Sequence, residues 1–295
     1  GVSAGVGVGV GNGSGRVFHI SPGRIVTIAS LTITNGFANG NHGGGIYNDA
    51  GLTLANSTVS GNGAEGGGGM FDTGSGARTV TGSTFSDNGA VGGGAYSGRS
   101  GVTVNMTNST VSGNFARDMG AGLLTNGALN LAHVTVTNNT TTTDAANAGS
   151  GVMTFPSGGL SVTMRGVLLN NNLKGTVVPP VISADCGGTG GVAITSTGYN
   201  LSQDTSCGLG DTTDLESVNA QLVALADNGG PTLTHALPAS SPAVNTGGAL
   251  GSIILDQRGY ARDSTPDIGS FEYGAVATVT GSGGSGGGGC FIATA

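Results

Sequence analysis

A right-handed parallel β-solenoid is the fold class this sequence predicts, and three observations predict it. The heptapeptide NSTVSGN stands at residues 56–62 and again at 108–114, with a looser copy, GSTFSDN, midway at 82–88. Apolar residues recur in register with that same half-step. Composition pairs strand-forming Val and Thr with 61 glycines, while only 8% of residues are charged. Such a chain makes strands and tight bends but offers little free helical surface.

The columns come first. Stepping from Val59 in both directions gives Ile33, Val59, Phe85, Val111, Val136 and Leu169, expected as one internal stack. Five residues before each lies a second apolar column: Ile28, Leu54, Val80, Met106, Leu131 and Met164. Two residues earlier still come Val26, Leu52, Arg78, Val104, Leu129 and Val162, in which Arg78 is the one misfit. Runs such as LTL and VTV alternate as strands do. A spacing of five is odd and breaks that alternation, so the chain must turn between two short strands.

A third strand follows each glycine cluster, as in GGGIYN at 43–48, GGGMF at 67–71, GGGAY at 92–96, GAGLL at 120–124 and GSGVM at 149–153. Three strands and three bends per 26 or so residues describe one coil of a solenoid. Successive coils hydrogen-bond at about 4.8 Å, so equivalent residues stack and the same words recur. Asn62, Asn88, Asn114 and Asn139 are expected to form an asparagine ladder at one bend. The glycine clusters read as bends with no room for side chains. A phosphate-cradling loop would occur once and be followed by a helix.

Beyond residue 177 the 26-residue pattern is lost. The expected division is a strand-like Gly/Val segment at 1–15, coils at 16–177, an irregular cap at 178–274 and a Gly/Ser linker with a CFIATA tail at 275–295. Cys186 and Cys207 are expected to form a structural disulfide, worth about 3 kcal/mol in the chain-entropy model, in an oxidising compartment. No second Cys or His pair lies at zinc-like spacing. One helical turn is expected near 215–225. The run LDQRGYARDSTPDIGSFEYG gathers Asp256, Arg258, Arg262, Asp263, Asp267 and Glu272. Its expected role is to fasten the cap to the last coil through Arg–carboxylate pairs, with a hydrolytic or calcium site as the competing reading.

These stretches also carry a resemblance. Residues 16–175, with RVFHISPG, VTIASLTITNG, GGGIYN and NSTVSGN, resemble bacterial parallel β-helix proteins of the polymorphic outer-membrane-protein and adhesin type. LADNGGPTLTHALPASSPAVNTG and LDQRGYARDSTPDIGSFEYG resemble the end of the "choice-of-anchor" domain of secreted bacterial proteins, and GGGGCFIATA resembles the CFI-box tail. The resemblance implies an extracellular or outer-cell-surface location and a sorting role for the tail.

Net charge is −7 and Lys174 is the one lysine, so the basic patch that nucleic acid or anionic membrane requires is missing. No apolar run approaches the ~18 residues of a membrane span. The first residue is not Met and the first ten do not form a signal peptide, so a mature or trimmed form is expected. No cofactor, metal or catalytic residue is expected. The acids of the coils, Asp49, Glu65, Asp72, Asp87, Asp118 and Asp144, fall at different places in the repeat, and the chain has no Trp. The Asn-x-Ser/Thr sequons at Asn56, Asn105, Asn108, Asn138 and Asn200 are the ordinary product of Asn/Thr-rich coils.

GVSAGVGVGV and CFIATA are both strand-like. The expected function is therefore a non-enzymatic surface protein that joins copies of itself head to tail by strand exchange, with adhesion and surface-glycan contact as further expectations. The alternative is a polysaccharide-binding or polysaccharide-degrading β-helix. For Cys290, followed by Phe291 and Ile292, an intermolecular link, an anchor and a free thiol all stay open.

Overall fold

The computed structural model describes residues 15–74, 76–155, 162–176, 182–189 and 194–277. The described residues form strands and turns without a helix, wound as a parallel β-helix with three sheets. The long sheet starts at Ile25–Ala29 and runs through Gly51–Ala55, Ala77–Thr81, Thr103–Ser112 and Ala128–Thr137. The second sheet stacks Phe18–Ile20, Ile46–Asn48, Met70–Asp72, Tyr96–Gly98, Leu123–Thr125, Val152–Thr154 and Cys186–Gly188. The third stacks Phe37–His42, Gly63–Gly66, Gly89–Gly92, Phe115–Met119, Thr140–Thr141 and Leu173–Lys174.

Register follows the repeat. Ile33 pairs with Val59, Val59 with Phe85, Phe85 with Val111, Val111 with Val136 and Val136 with Leu169, and all are buried. Each such side chain removed from water contributes about 1.5–3 kcal/mol. The turn inside each repeat is a single left-handed residue. Ser30, Asn56, Asn108, His133 and Tyr199 occupy one corner with φ between 43 and 60°, and Gly82 and Gly166 occupy it in their own coils. Asn35, Gly61, Asp87, Gly113, Asn138 and Asn171 form the matching column at the next corner. Asn and Gly tolerate this conformation best, which is why NSTVSGN both begins with Asn and carries Gly before its last residue.

The asparagines of the next column are joined by side-chain amides. Asn62 donates to Asn88 at 3.0 Å, Asn88 to Asn114 at 2.9 Å and Asn114 to Asn139 at 2.9 Å. Two members escaped sequence reasoning: Asn139 donates to Asn172, and Asn172 donates to Asp185 at 2.8 Å. Asp185 ends the ladder because a carboxylate only accepts; it also receives Ser202 Oγ and Gln203 N. Burial, with Asp204 nearby, pushes its carboxyl up to about 6.

Three points stand out against the expected repeat. First, Arg78, the misfit of its apolar column, is buried in it: it is 1% exposed, pairs with Asp72 at 3.3 Å and donates to the carbonyls of Gly76 and Gly74. Asp72 also accepts from Asn48, so a polar network replaces an apolar rung. Burial raises the Asp72 carboxyl to about 6. Second, the coils do not stop at 177. Cys186, Ile194 and Leu201 pair with Val152, Val162 and Leu168; longer bends stretch the step to 32–34 residues while the inward positions persist. Third, residues 215–225 form no helical turn, since Leu215–Glu216 is a strand on Leu201–Ser202.

The C-terminal segment is also not simply a lid on the last coil. Cys186 and Cys207 are bonded and buried at that end, but from about residue 218 the chain turns back along the outside of the long sheet. Thr84 donates to Leu233 O, Thr110 to Gln257 Oε1, and Ser270 N to Thr135 Oγ1. Ser112 meets His235 Nε2 at 2.8 Å. A small core of Leu168, Leu201, Ala220, Leu237, Ala243, Ile268 and Phe271 lies between segment and coils. Arg258 pairs with Asp256 at 2.7 Å and Arg262 with Glu272 at 3.1 Å, all buried. Arg262 also reaches Asn108 of the coils.

Candidate functional site

With one sheet covered by the C-terminal segment, the second sheet carries an outward column that is exposed at His19, half-buried at Tyr47 and Leu124, and buried at Phe71, Ser97 and Met153. It alternates with the inward residues Ile46, Met70, Tyr96, Leu123 and Val152. The outward set is His19, Tyr47, Phe71, Ser97, Leu124 and Met153. At the N-terminal end these side chains are rings that stack like the backbone beneath them. His19 meets Tyr47 edge-on with centroids 5.0 Å apart, and Tyr47 stacks on Phe71 at 5.7 Å. His42 stacks on Phe71 at 4.3 Å. Its ring has room because Gly66, its partner in the third sheet, carries no side chain; a Cβ there would lie 2.7 Å from His42 Nδ1.

Two guanidinium groups border the rings. Arg16 stands 4.7 Å from the Tyr47 centroid and Arg99 5.4 Å from that of Phe71. Burial first, then the nearby positive charge of Arg99, lowers the pKa of His42. The ladder of large side chains breaks at Ser97. There a pocket of about 320 Å³ opens, bounded by Phe71, Val91, Gly98, Leu124 and Met119 with Arg99 at its margin. Asp118, also at the margin, is engaged by Arg117 through 2.9 and 3.1 Å bonds that hold its carboxyl below the usual range.

A second candidate is the N-terminal end of the helix. Phe18–Ile20, Ile25–Ala29 and Thr32–Thr34 each have a strand partner on one side only among the described residues. Phe37–His42 has a single antiparallel bridge there, to Gly15. Ile25 is 89% exposed and Phe37 45%.

Of the residues singled out from sequence, the core stack, the asparagine ladder and the disulfide pair lie in the body of the solenoid. Cys290, Phe291 and Ile292 fall outside the described residues. Sequence reasoning missed the outward column, although its signal was present: it is the middle letter of IYN, MFD, YSG, LLT and VMT. Among the described residues no three His, Cys, Asp or Glu side chains gather as metal ligands, and no helix is long and apolar enough to cross a membrane.

No protein-family model matches the chain. No curated protein matches it either. Among solved structures, the crystal structure of pectate lyase Pel9A aligns with 88% of this chain and 72% of its own, at 16% identity and a TM-score of 0.43.

Proposed function

We propose that this chain is a secreted, non-enzymatic β-helix of the bacterial cell surface, related to the choice-of-anchor type, that builds filaments by joining copies end to end. The observation that supports this reading is the one-sided pairing, among the described residues, of three strands at the N-terminal coil. An unprotected edge is a template for another chain. At the opposite end, among the described residues, Ile194–Ser196 is paired on one side only, while Cys186–Gly188 is buried beneath the disulfide to Cys207. Head-to-tail contacts that do not close give filaments.

Strand-like sequence stands at each terminus to bridge the boundary: GVSAGVGVGV and CFIATA. A buried disulfide, Cys186–Cys207, supports an oxidising, extracellular setting.

Electron microscopy of the full chain tests the proposal. Filaments are expected, and deletion of residues 1–10 or 281–295 is expected to shorten or abolish them. Particles that stay single at high concentration in the full chain would overturn it.

A further inference from the structure

An asparagine that precedes glycine can cyclise, because no Cβ on the following residue blocks the approach of its nitrogen to the side-chain amide. Six such pairs stand among the described residues, beginning at Asn35, Asn39, Asn62, Asn88, Asn126 and Asn228. The fold ties down five of them. Asn62 and Asn88 are ladder members whose amides are bonded to the next coil, and Gly63 N and Gly89 N donate to Gly36 O and Asn62 O at 2.8 and 2.9 Å. Gly36 N donates to Asn62 Oδ1 and Gly127 N to Thr125 Oγ1, both at 2.9 Å. Gly229 N donates to Asp227 Oδ1 at 3.0 Å, and the Asn228 amide donates to Thr234 O at 2.8 Å.

Asn39 and Gly40 are placed differently. Register pairs Ala38 with Ala64 and His42 with Gly66, so Asn39, Gly40 and Asn41 bulge opposite the single residue Glu65. All three bulged residues are exposed. The Asn39 side chain makes no hydrogen bond among the described residues. Gly40 has φ of 60°, and a Cβ built on it would meet nothing within 4 Å. The backbone can therefore turn here without breaking a rung of the sheet.

We infer that Asn39 is a self-modification site, converted by the chain's own backbone to aspartate and isoaspartate. Gly40 N attacks Asn39 Cγ and forms a cyclic imide; the Cγ–Nδ2 bond breaks, and the Gly40 proton departs on ammonia. Water then opens the imide. Cleavage of the bond from Cγ to nitrogen gives aspartate, and cleavage of the bond from the main-chain carbonyl to nitrogen gives isoaspartate, with one more carbon in the backbone. Either product sets a carboxylate two residues from Asn41, whose Oδ1 accepts from Arg16 Nη2 at 3.2 Å. The reaction needs no partner, so it stands apart from filament formation.

Peptide mapping by mass spectrometry tests it on the full chain held in mildly alkaline buffer, with electron-transfer fragmentation separating isoaspartate from aspartate. In the folded protein Asn39 is expected to convert at least about tenfold faster than Asn62 and Asn88, whose ladder bonds must open first. In urea with a reductant that lead is expected to vanish, since sequence alone favours none of the six. Gly40→Ala puts a Cβ beside the attacking nitrogen and is expected to slow conversion about tenfold; circular dichroism checks that its coils survive. Conversion at Asn39 no faster than at Asn62 or Asn88 in the folded chain, the same lead for Asn39 in urea, or an unchanged rate in folded Gly40→Ala would each overturn the inference.

Discussion

The coils and the C-terminal segment are held by opposite means. In the coils each residue meets its own counterpart one repeat away, so one rule of contact serves every rung. In the segment that lies along the long sheet, each contact is made once: Gln257 with Thr84 and Thr110, Ser270 with Thr135, His235 with Ser112. Repetition lets a defect spread, because a ladder residue serves the coil before and the coil after. A one-off contact fails alone.

The largest effect is therefore expected in the coils. Phe85→Ala empties the centre of the stack and should cost about 3–5 kcal/mol in urea unfolding. Asn114→Ala follows at about 3 kcal/mol: it removes donors to Phe85 O and Asn139 and the acceptor for Asn88, leaving buried groups unpaired. Replacing Cys186 and Cys207 by Ser should cost about 3 kcal/mol by the chain-entropy estimate. Gln257→Ala should cost about 1–2 kcal/mol, and limited proteolysis should then release the C-terminal segment while the coils stay protected. Equal losses for Asn114 and Gln257 would erase the contrast between the two regions.

Acid separates them further. Asp185 has a raised carboxyl, about 6 against 3.8 unfolded, so the folded state holds its proton more tightly. Its stabilising share is present below about 4 and is lost as pH rises through about 6. Relative to Asp185→Asn, the wild type should weaken over that window. His133, under the C-terminal segment, is driven by burial down to about 3. Its share is present above about 6.5 and is lost as pH falls towards about 3. Relative to His133→Gln, the wild type should weaken on acidification. Thermal unfolding across pH reads both slopes, which have opposite signs.

This division also explains what the sequence disclosed. Ile33, Val59, Phe85 and Val111 were legible because burial imposes one residue type at one step. A turn between the two short strands was legible from the odd spacing of five, but that Asn56, Gly61, Asn108 and Gly113 carry the positive φ emerged only from the structure. Arg78 was misleading: its partner, Asp72, lies six residues back, and nothing in the spacing shows that the two meet inside. The coil formed by Cys186, Ile194 and Leu201 escaped notice because longer bends changed the step while the inward pattern stayed. The course of residues 218–277 was hidden, since its contacts join positions 123 to 173 residues apart without repetition.

The most direct test of like stacking on like is cross-linking at the register itself, in a Cys290→Ser background. Thr79 and Asn105 are outward partners on adjacent strands, while Thr103 lies two residues off. Thr79→Cys with Asn105→Cys should bridge quickly on mild oxidation, and Thr79→Cys with Thr103→Cys slowly or not at all. The reverse order of rates would mean that the coils do not stack at the 26-residue step, and the account would fail with them.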